Sequence, residues 1–438
     1  MMYFKQFFNE QLAQYSYLVG CQKTGEAIVI DPLRDVTPYI EAAEKERLRI
    51  THVTETHIHA DFASGIREVI NMGTQGYVSG HGGLDWTYQD VEADLIHEGD
   101  VIKVGNVKLE VMHTPGHTPE SISFLLYDNG MDVPMSLFTG DFIFVGDVGR
   151  PDLLEEAAGI KDTTEIGARQ MFQSLKKVKK LPDFIQIWPG HGAGSACGKS
   201  LGAVPMTTLG YERTNGWAFQ IEEEDAFVKA LTSDQPEPPY YFAEMKRMNR
   251  DGVALMHHNI VTPVETLTEQ AIDLRAKETY ANNMSEGINV PYNKKFLSFA
   301  GWYLDYSRPL QLVGEFDEVQ EAAHDLKMIG FDNVHTYVHA ADGTAYQTIE
   351  PRAFKQLNKD DINILDVRTK KEWDEGHFDG AVHVHYGKLQ QASIPFAKDE
   401  EIYVHCQSGV RSAIAMSILE NEGYTNLINV NGGYAAVK

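Results

Sequence analysis

The chain has 438 residues, 43% apolar and 23% charged, an ordinary globular balance that excludes a disordered or fibrous protein. At roughly 150 residues per domain, about three domains are expected. With 38 Lys and Arg against 63 Asp and Glu, the formal net charge of −25 argues against a nucleic-acid binder.

The first twenty residues carry Lys5 and Glu10 and lack a continuous apolar stretch, so they do not read as a signal peptide. Residues 26–31 read as a strand and 35–48 as a helix capped by Asp35. Residues 50–55 form a further strand, ending in a His-rich loop. Strands are expected at 107–113 and 121–127, on either side of Thr114-Pro115-Gly116. Another at 136–139 stops at Gly140-Asp141, and one at 184–188 stops at Pro189-Gly190-His191. Loops at strand ends are where α/β folds build sites, and four of these ends carry His or Asp. The run Lys176-Lys177-Val178-Lys179-Lys180 reads as a solvated helix end. Residues 200–260 read as helical packing followed by a linker around Gln235-Pro-Glu-Pro-Pro239.

An internal repeat follows. Asp273-Leu-Arg275 recurs 93 positions later as Asp366-Val-Arg368, and Gly287 and Gly330-Phe331 recur at the same displacement as Gly380 and Gly423-Tyr424. Residues 310–313 align with 402–405 at a displacement of 92. The domains expected are therefore 1–240, 241–345 and 346–438. Cys21, Cys197 and Cys406 are far apart, with no CxxC pair, so a disulfide framework is excluded and a reducing cytoplasm is the expected setting. No run approaches the roughly 18 apolar residues of a membrane span, so no membrane partner is expected.

The strand-end groups are candidates for a metal. His57-Ile-His59-Ala-Asp61 follows one strand, and His117 lies in Thr114-Pro-Gly-His-Thr118. Asp141 lies in Thr139-Gly-Asp141, and His191 in Pro189-Gly-His-Gly192. A lone histidine is more often structural, but four such groups in order favour a metal site. His81 and His113 have weaker claims. The run Ala193-Gly-Ser-Ala-Cys-Gly-Lys199-Ser200 misses the first glycine of a phosphate-binding loop, and ATP binding is set aside.

This order of motifs resembles the metallo-β-lactamase superfamily over about residues 1–200. The family's full first motif is HxHxDH, and Phe62 replaces its last histidine. Phenylalanine cannot coordinate, which argues for one metal rather than two. Within the superfamily the chain is then similar to the persulfide dioxygenases. That resemblance implies one mononuclear non-heme Fe(II) held by His57, His117 and Asp141, a facial triad suited to oxygen chemistry. Gly146-Asp-Val-Gly-Arg-Pro-Asp152 resembles that branch's GxGRxD stretch, with Arg150 and Asp152 bracing the site or simply stabilising the loop. His59, Asp61 and His191 are expected behind the ligands or facing substrate. Cys197 is either a small packing residue or a thiol beside the iron that accepts or passes sulfane sulfur.

Cys406-Gln407-Ser408-Gly409-Val410-Arg411-Ser412 lies between an apolar strand and a helical run. Backbone N–H groups and a helix amino end there would favour a thiolate or a bound anion, and Arg411 could grip an anionic substrate. The loop resembles the CxxGxR[ST] loop of the rhodaneses, whose cysteine carries a persulfide. In the earlier repeat Gly314 takes the cysteine's place, so that module is expected to be inactive.

Together these resemblances imply an α/β protein: a metallo-β-lactamase αββα sandwich followed by two rhodanese-like modules. The order is similar to the persulfide dioxygenase–rhodanese fusions of bacterial sulfide detoxification. That implies a low-molecular-weight thiol persulfide oxidised by O2 to sulfite, then sulfur transfer from Cys406 to sulfite, giving thiosulfate. A homo-oligomer is expected. A zinc-dependent thioesterase fused to a rhodanese and a non-turnover persulfide carrier are the alternatives.

Overall fold

In strand Glu26–Ile30 alternate side chains face opposite ways, Ile28 and Ile30 into one apolar core and Ala27 and Val29 into another. The computed structural model shows what each core packs against. It describes the chain except residues 129, 154, 156–162 and 340–342. The chain divides into two compact units, residues 1–257 with 327–330, and residues 258–326 with 331–438.

The first unit is built on two six-stranded sheets. One runs in order through Met2–Asn9, Gln14–Cys21, Glu26–Ile30, Arg49–Thr54, Gln75–Ser79 and Ala93–Ile96. The other joins Val101–Val104, Val107–His113, Ile122–Tyr127, Ser136–Gly140, Gln186–Pro189 and Thr207–Thr208. Tyr17, Val19, Ile28 and Ile30 of the first sheet pack on Leu109, Val111, Phe124 and Phe138 of the second, forming the layer between them. On the outer face of the first sheet, Leu18, Ala27 and Val29 cluster with Tyr39, Ala42 and Ala43 of helix Thr37–Lys45. On the outer face of the second, Leu125, Leu137 and Ile187 cluster with Met171, Phe172 and Leu175 of helix Thr163–Val178. The result is the expected αββα sandwich. The first helix is shorter than the expected 35–48: Asp35 accepts the Thr37 N–H ahead of it, and Arg47 at φ 56° ends it.

The first unit continues past residue 240 because helix Tyr241–Asp251 is tied to it. Its Tyr241 hydroxyl donates to the Asp61 carbonyl at 2.8 Å. Its buried Asn249 amide donates to the carbonyls of His59 and Phe62, both at 2.7 Å, and accepts from Ser64 N at 2.9 Å.

The second unit holds two five-stranded sheets, every pairing parallel. The first sheet is ordered Thr262–Val264, Val334–Val338, Leu310–Val313, Gln270–Asp273, Ile288–Asn289. The second is ordered Gln347–Ile349, Leu427–Val430, Ile402–His405, Asn363–Asp366, Val382–His383. In sequence terms these orders are identical, so the repeat is a repeat of topology. Register makes it residue-specific: Asp273 pairs with Val313 as Asp366 pairs with His405. Gly314 therefore stands where Cys406 stands.

Candidate active site

Four strands of the sandwich end beside one another. Residues 55–57 leave Arg49–Thr54, residues 114–117 leave Val107–His113, Asp141 follows Ser136–Gly140, and His191 follows Gln186–Pro189. Close approach is what the glycines permit. A Cβ on Gly140, at φ 50°, would stand 2.2 Å from Thr56 Oγ1, and one on Gly190 would stand 2.6 Å from Asp141 Oδ1.

His57, His117 and Asp141 are buried and bring one donor atom each to within 4.8 Å of the others. Asp141 Oδ2 lies 3.5 Å from His117 Nε2 and 3.9 Å from His57 Nε2. The hydrogen bonds behind the rings fix which nitrogen faces inward. His117 Nδ1 meets the Arg150 carbonyl at 2.8 Å, and a carbonyl only accepts, so Nδ1 carries the hydrogen. Thr56 Oγ1 donates to Asp31 Oδ2 at 3.0 Å, so it accepts from His57 Nδ1 at 2.9 Å. Both histidines thus present an Nε2 lone pair. His57 Nε2 and Asp141 Oδ2 are buried with no hydrogen-bond partner among the described residues. Two imidazoles and one carboxylate, convergent and with unmet acceptor capacity, fit a divalent transition metal.

His191 lies between two carboxylates, with Nδ1 2.7 Å from Asp141 Oδ1 and Nε2 2.6 Å from Asp61 Oδ2. Burial disfavours its charged form, but Asp141 and Asp61 outweigh burial and push its pKa well above the ordinary value. Burial also opposes the Asp141 anion, which His191, His117 and His57 nevertheless hold far below the usual carboxylate range. His59 does not join the triad. Its Nε2 meets Asp31 Oδ1 at 3.0 Å, and its ring packs 4.3 Å from that of Phe62. Burial lowers the His59 pKa, and Asp31, Glu55 and Asp61 more than reverse this, to about 9.

Arg150 is fully buried, with Nε and Nη2 on the two oxygens of Asp152 at 2.8 and 2.6 Å. Its Nη1 donates to the Pro236 and Ala196 carbonyls at 2.6 and 3.2 Å. Cys197 Sγ lies with Asp61 and His191, the three donor atoms within 4.8 Å of one another. Burial, then Asp141 and Asp61, push its thiol pKa well up.

In the second unit, Cys406 is buried at the end of strand Ile402–His405. Gly409, at φ 114°, turns its N–H onto Cys406 Sγ at 3.0 Å, and Ser412 Oγ lies 3.6 Å from the sulfur. Gln407, Ser408 and Gly409 form the turn, and Val410 opens helix Val410–Asn421. The fork of Arg411 faces Glu372, Nη1 to Oε2 at 2.5 Å and Nη2 to Oε1 at 2.8 Å, not the open anion seat expected for it. Burial raises the Glu372 pKa, but Arg411 and Thr369 hold it down at about 2. In the earlier repeat, helix Phe316–Met328 begins two residues after Gly314, whereas helix Val410–Asn421 begins four residues after Cys406. That loop is too short to form the same turn.

Residues 10–191 match the metallo-beta-lactamase superfamily, and residues 351–438 match the rhodanese-like domain. A crystal structure of a metallo-beta-lactamase from Staphylococcus aureus is 52% identical, covering 78% of this chain and 99% of that one with a TM-score of 0.75. The mitochondrial persulfide dioxygenase ETHE1 of Bos taurus is 31% identical over 53% of this chain and 82% of its own. A hydroxyacylglutathione hydrolase of Rhodopseudomonas palustris is 30% identical over 54% of this chain and 81% of its own. The chain belongs to the metallo-beta-lactamase superfamily. Both of these relatives are enzymes, and this chain also carries a C-terminal rhodanese-like domain.

Several groups that hold the candidate site carry no motif of their own in the sequence. Asp31, at φ 52°, accepts Thr56 N at 2.7 Å as well as the contacts above. Its signal was an acid ending the apolar run Ala27-Ile-Val-Ile30. Glu120 accepts Ile58 N at 2.7 Å and Thr118 Oγ1 at 2.9 Å. Asn249 has no local signal at all. His81 and His113 stack on each other, centroids 3.8 Å apart, as a separate pair. At the discarded phosphate-loop run, Lys199 N and Ser200 N donate to Asp147 Oδ2, so a carboxylate already occupies those amides.

Proposed function

We propose that the chain oxidises the terminal sulfur of a low-molecular-weight persulfide with O2 to sulfite, and then transfers persulfide sulfur from Cys406 to that sulfite, giving thiosulfate. The observation that carries this reading is the juxtaposition in one chain of the buried His57–His117–Asp141 donor set with a rhodanese-type cysteine loop. The persulfide dioxygenase relatives support it.

One Fe(II), held by His57, His117 and Asp141, would supply a redox-active centre with open positions for sulfur and O2. The chain's own groups orient that set. Thr56 and Asp31 fix the His57 ring, the Arg150 carbonyl fixes the His117 ring, and His191 fixes one Asp141 oxygen so that the other points inward. Phe62, fully buried against His59, offers no donor to a second metal. Asp61 braces His191, and Arg150 with Asp152 braces the loop behind His117. Cys197 lies on the Asp61–His191 side, where its thiol stays protonated.

At the second site the Gly409 N–H stabilises charge on Cys406 Sγ. The lone pair of sulfite sulfur attacks the outer sulfur of a Cys406 persulfide. The Sγ–S bond breaks, its electron pair stays on Sγ, and thiosulfate leaves. The module with Gly314 lacks a nucleophile at this position and is read as inactive.

Zinc-dependent thioester hydrolysis is the second reading, favoured by the hydrolase relatives and by the second donor group of Asp61, His191 and Cys197. Oxygen uptake on adding a low-molecular-weight persulfide to anaerobically iron-loaded protein, with zinc-loaded protein beside it, separates the two. Uptake by the iron form alone is expected. No uptake across several persulfides, with thioester hydrolysis by the zinc form, overturns the dioxygenase reading.

A further inference from the structure

The module without a cysteine reaches the loop of the module that has one. Helix Lys277–Asn282 follows Arg275 in the earlier repeat and packs against helix Val410–Asn421 of the later one. Asn289 N, from the earlier sheet, donates to Ser417 Oγ of that same helix at 3.0 Å. A Cβ placed on Gly409 would stand 3.6 Å from Lys277 Nζ and 3.9 Å from Lys277 Cε. Apart from Gly409's chain neighbours, no other described atom comes within 4 Å of that point. Gly409 is the residue whose N–H meets Cys406 Sγ. Tyr346, buried and bonded through its N–H to the Ala281 carbonyl of the Lys277 helix, is within electrostatic reach of Cys406.

Charge gives this placement its meaning. An anion at Cys406 needs a cation, and the loop's own Arg411 is neutralised by Glu372, to whose two oxygens it donates hydrogen bonds. Lys277 Nζ is paired at 2.7 Å with Glu278, whose side chain is 71% exposed, so solvent screens that contact. The ammonium is free to turn to a better-placed anion.

We propose that Lys277, contributed by the cysteine-less module, binds the sulfonate end of the sulfur donor or acceptor at Cys406. The inference rests on the reading of Cys406 as the sulfur carrier. When the thiolate attacks the outer sulfur of thiosulfate, the S–S bond breaks and sulfite leaves with the electron pair. Transfer to sulfite is the reverse. In both directions the three oxygens lie beyond the transferred sulfur, away from Sγ, and the proposed role of the Lys277 ammonium is to meet them there.

The test is thiosulfate-to-cyanide sulfur exchange by the full chain, which needs Cys406 and no metal. Lys277→Gln is expected to raise the KM for thiosulfate about tenfold, with kcat and the KM for cyanide each within about twofold. Lys277→Arg restores the KM to within about threefold, and Glu278→Gln, which removes the competing carboxylate, lowers it. A thiosulfate KM unchanged in Lys277→Gln, or a fall in kcat alone, overturns the proposal and leaves Cys406 in its role. No exchange by the unaltered chain with its cysteines reduced overturns the sulfur-transfer reading, and this inference with it.

Discussion

His191 binds one oxygen of Asp141 and leaves the other to the site. Its Nδ1 stands 2.7 Å from Oδ1, while Oδ2 has no hydrogen-bond partner among the described residues and faces His117 and His57. A carboxylate bonded at one oxygen cannot rotate freely, so the geometry of the donor set depends on a residue outside it. His191→Gln should therefore lower metal affinity about 10–100-fold without unfolding the sandwich. Competition against a graded series of chelators, with circular dichroism as the control for fold, measures this. Occupancy lost at the same chelator strength as in the unaltered chain would remove His191 from this role.

Cys406 and the donor set lie in different compact units, so their losses should separate. Cys406→Ser is expected to keep O2 uptake within about twofold while sulfite accumulates and thiosulfate falls at least about tenfold. Sulfite and thiosulfate are quantified in the same reaction by ion chromatography. Thiosulfate formed at the unaltered rate would sink the two-site scheme.

Glu372 gives a pH signature. Burial works against its charge, but Arg411 and Thr369 lower its pKa from 4.5 to about 2. The folded value lies below the unfolded one, so the pair stabilises the fold fully above about pH 4.5 and loses that contribution as pH falls toward 2. The Glu372 side chain is 26% exposed, so screening reduces the effect to about 1–2 kcal/mol. Glu372→Gln should melt at a lower temperature than the unaltered chain at pH 7, with the gap closing below about pH 4. A gap that is constant between pH 7 and pH 3 would show that the pair is not its source.

The sequence made the site legible because metal chemistry restricts residue type at strand ends. His57, His117 and Asp141 are set in turns whose glycines are themselves required: at Gly140 any Cβ would collide with Thr56. The repeat was legible because Asp273–Arg275 and Asp366–Arg368 make the same local ion pair, closing at 2.6 Å in both modules. What stayed hidden depends on tertiary contact. Strands Met2–Asn9 and Gln75–Ser79 carry polar residues among the apolar ones, and only their neighbours in the sheet make them strands. Asn249 lies 190 positions from His59, whose carbonyl it binds, so no local pattern could connect them. The place of Arg411 in the loop points to an anion. Its carboxylate partner, Glu372, is 39 residues away.

Arg150 links loop stability to the donor set, and Arg150→Lys tests the link. The guanidinium meets both oxygens of Asp152 and the carbonyls of Ala196 and Pro236 from three different nitrogens, while its own carbonyl holds His117 Nδ1. A lysine keeps the charge but places all its donors on one atom, so it cannot reach these groups together. At least one of these buried groups would lose its partner, costing about 1–3 kcal/mol. The thermal midpoint of the metal-free protein should fall accordingly. The loosened carbonyl at residue 150 should also free the His117 ring, so metal should raise the midpoint less in the variant than in the unaltered chain, because weaker binding contributes less stabilisation at equal metal concentration. Calorimetry of both proteins, with and without metal, gives the four midpoints. Equal metal-induced shifts in the two proteins would confine Arg150 to the loop and leave His117 positioned by other contacts.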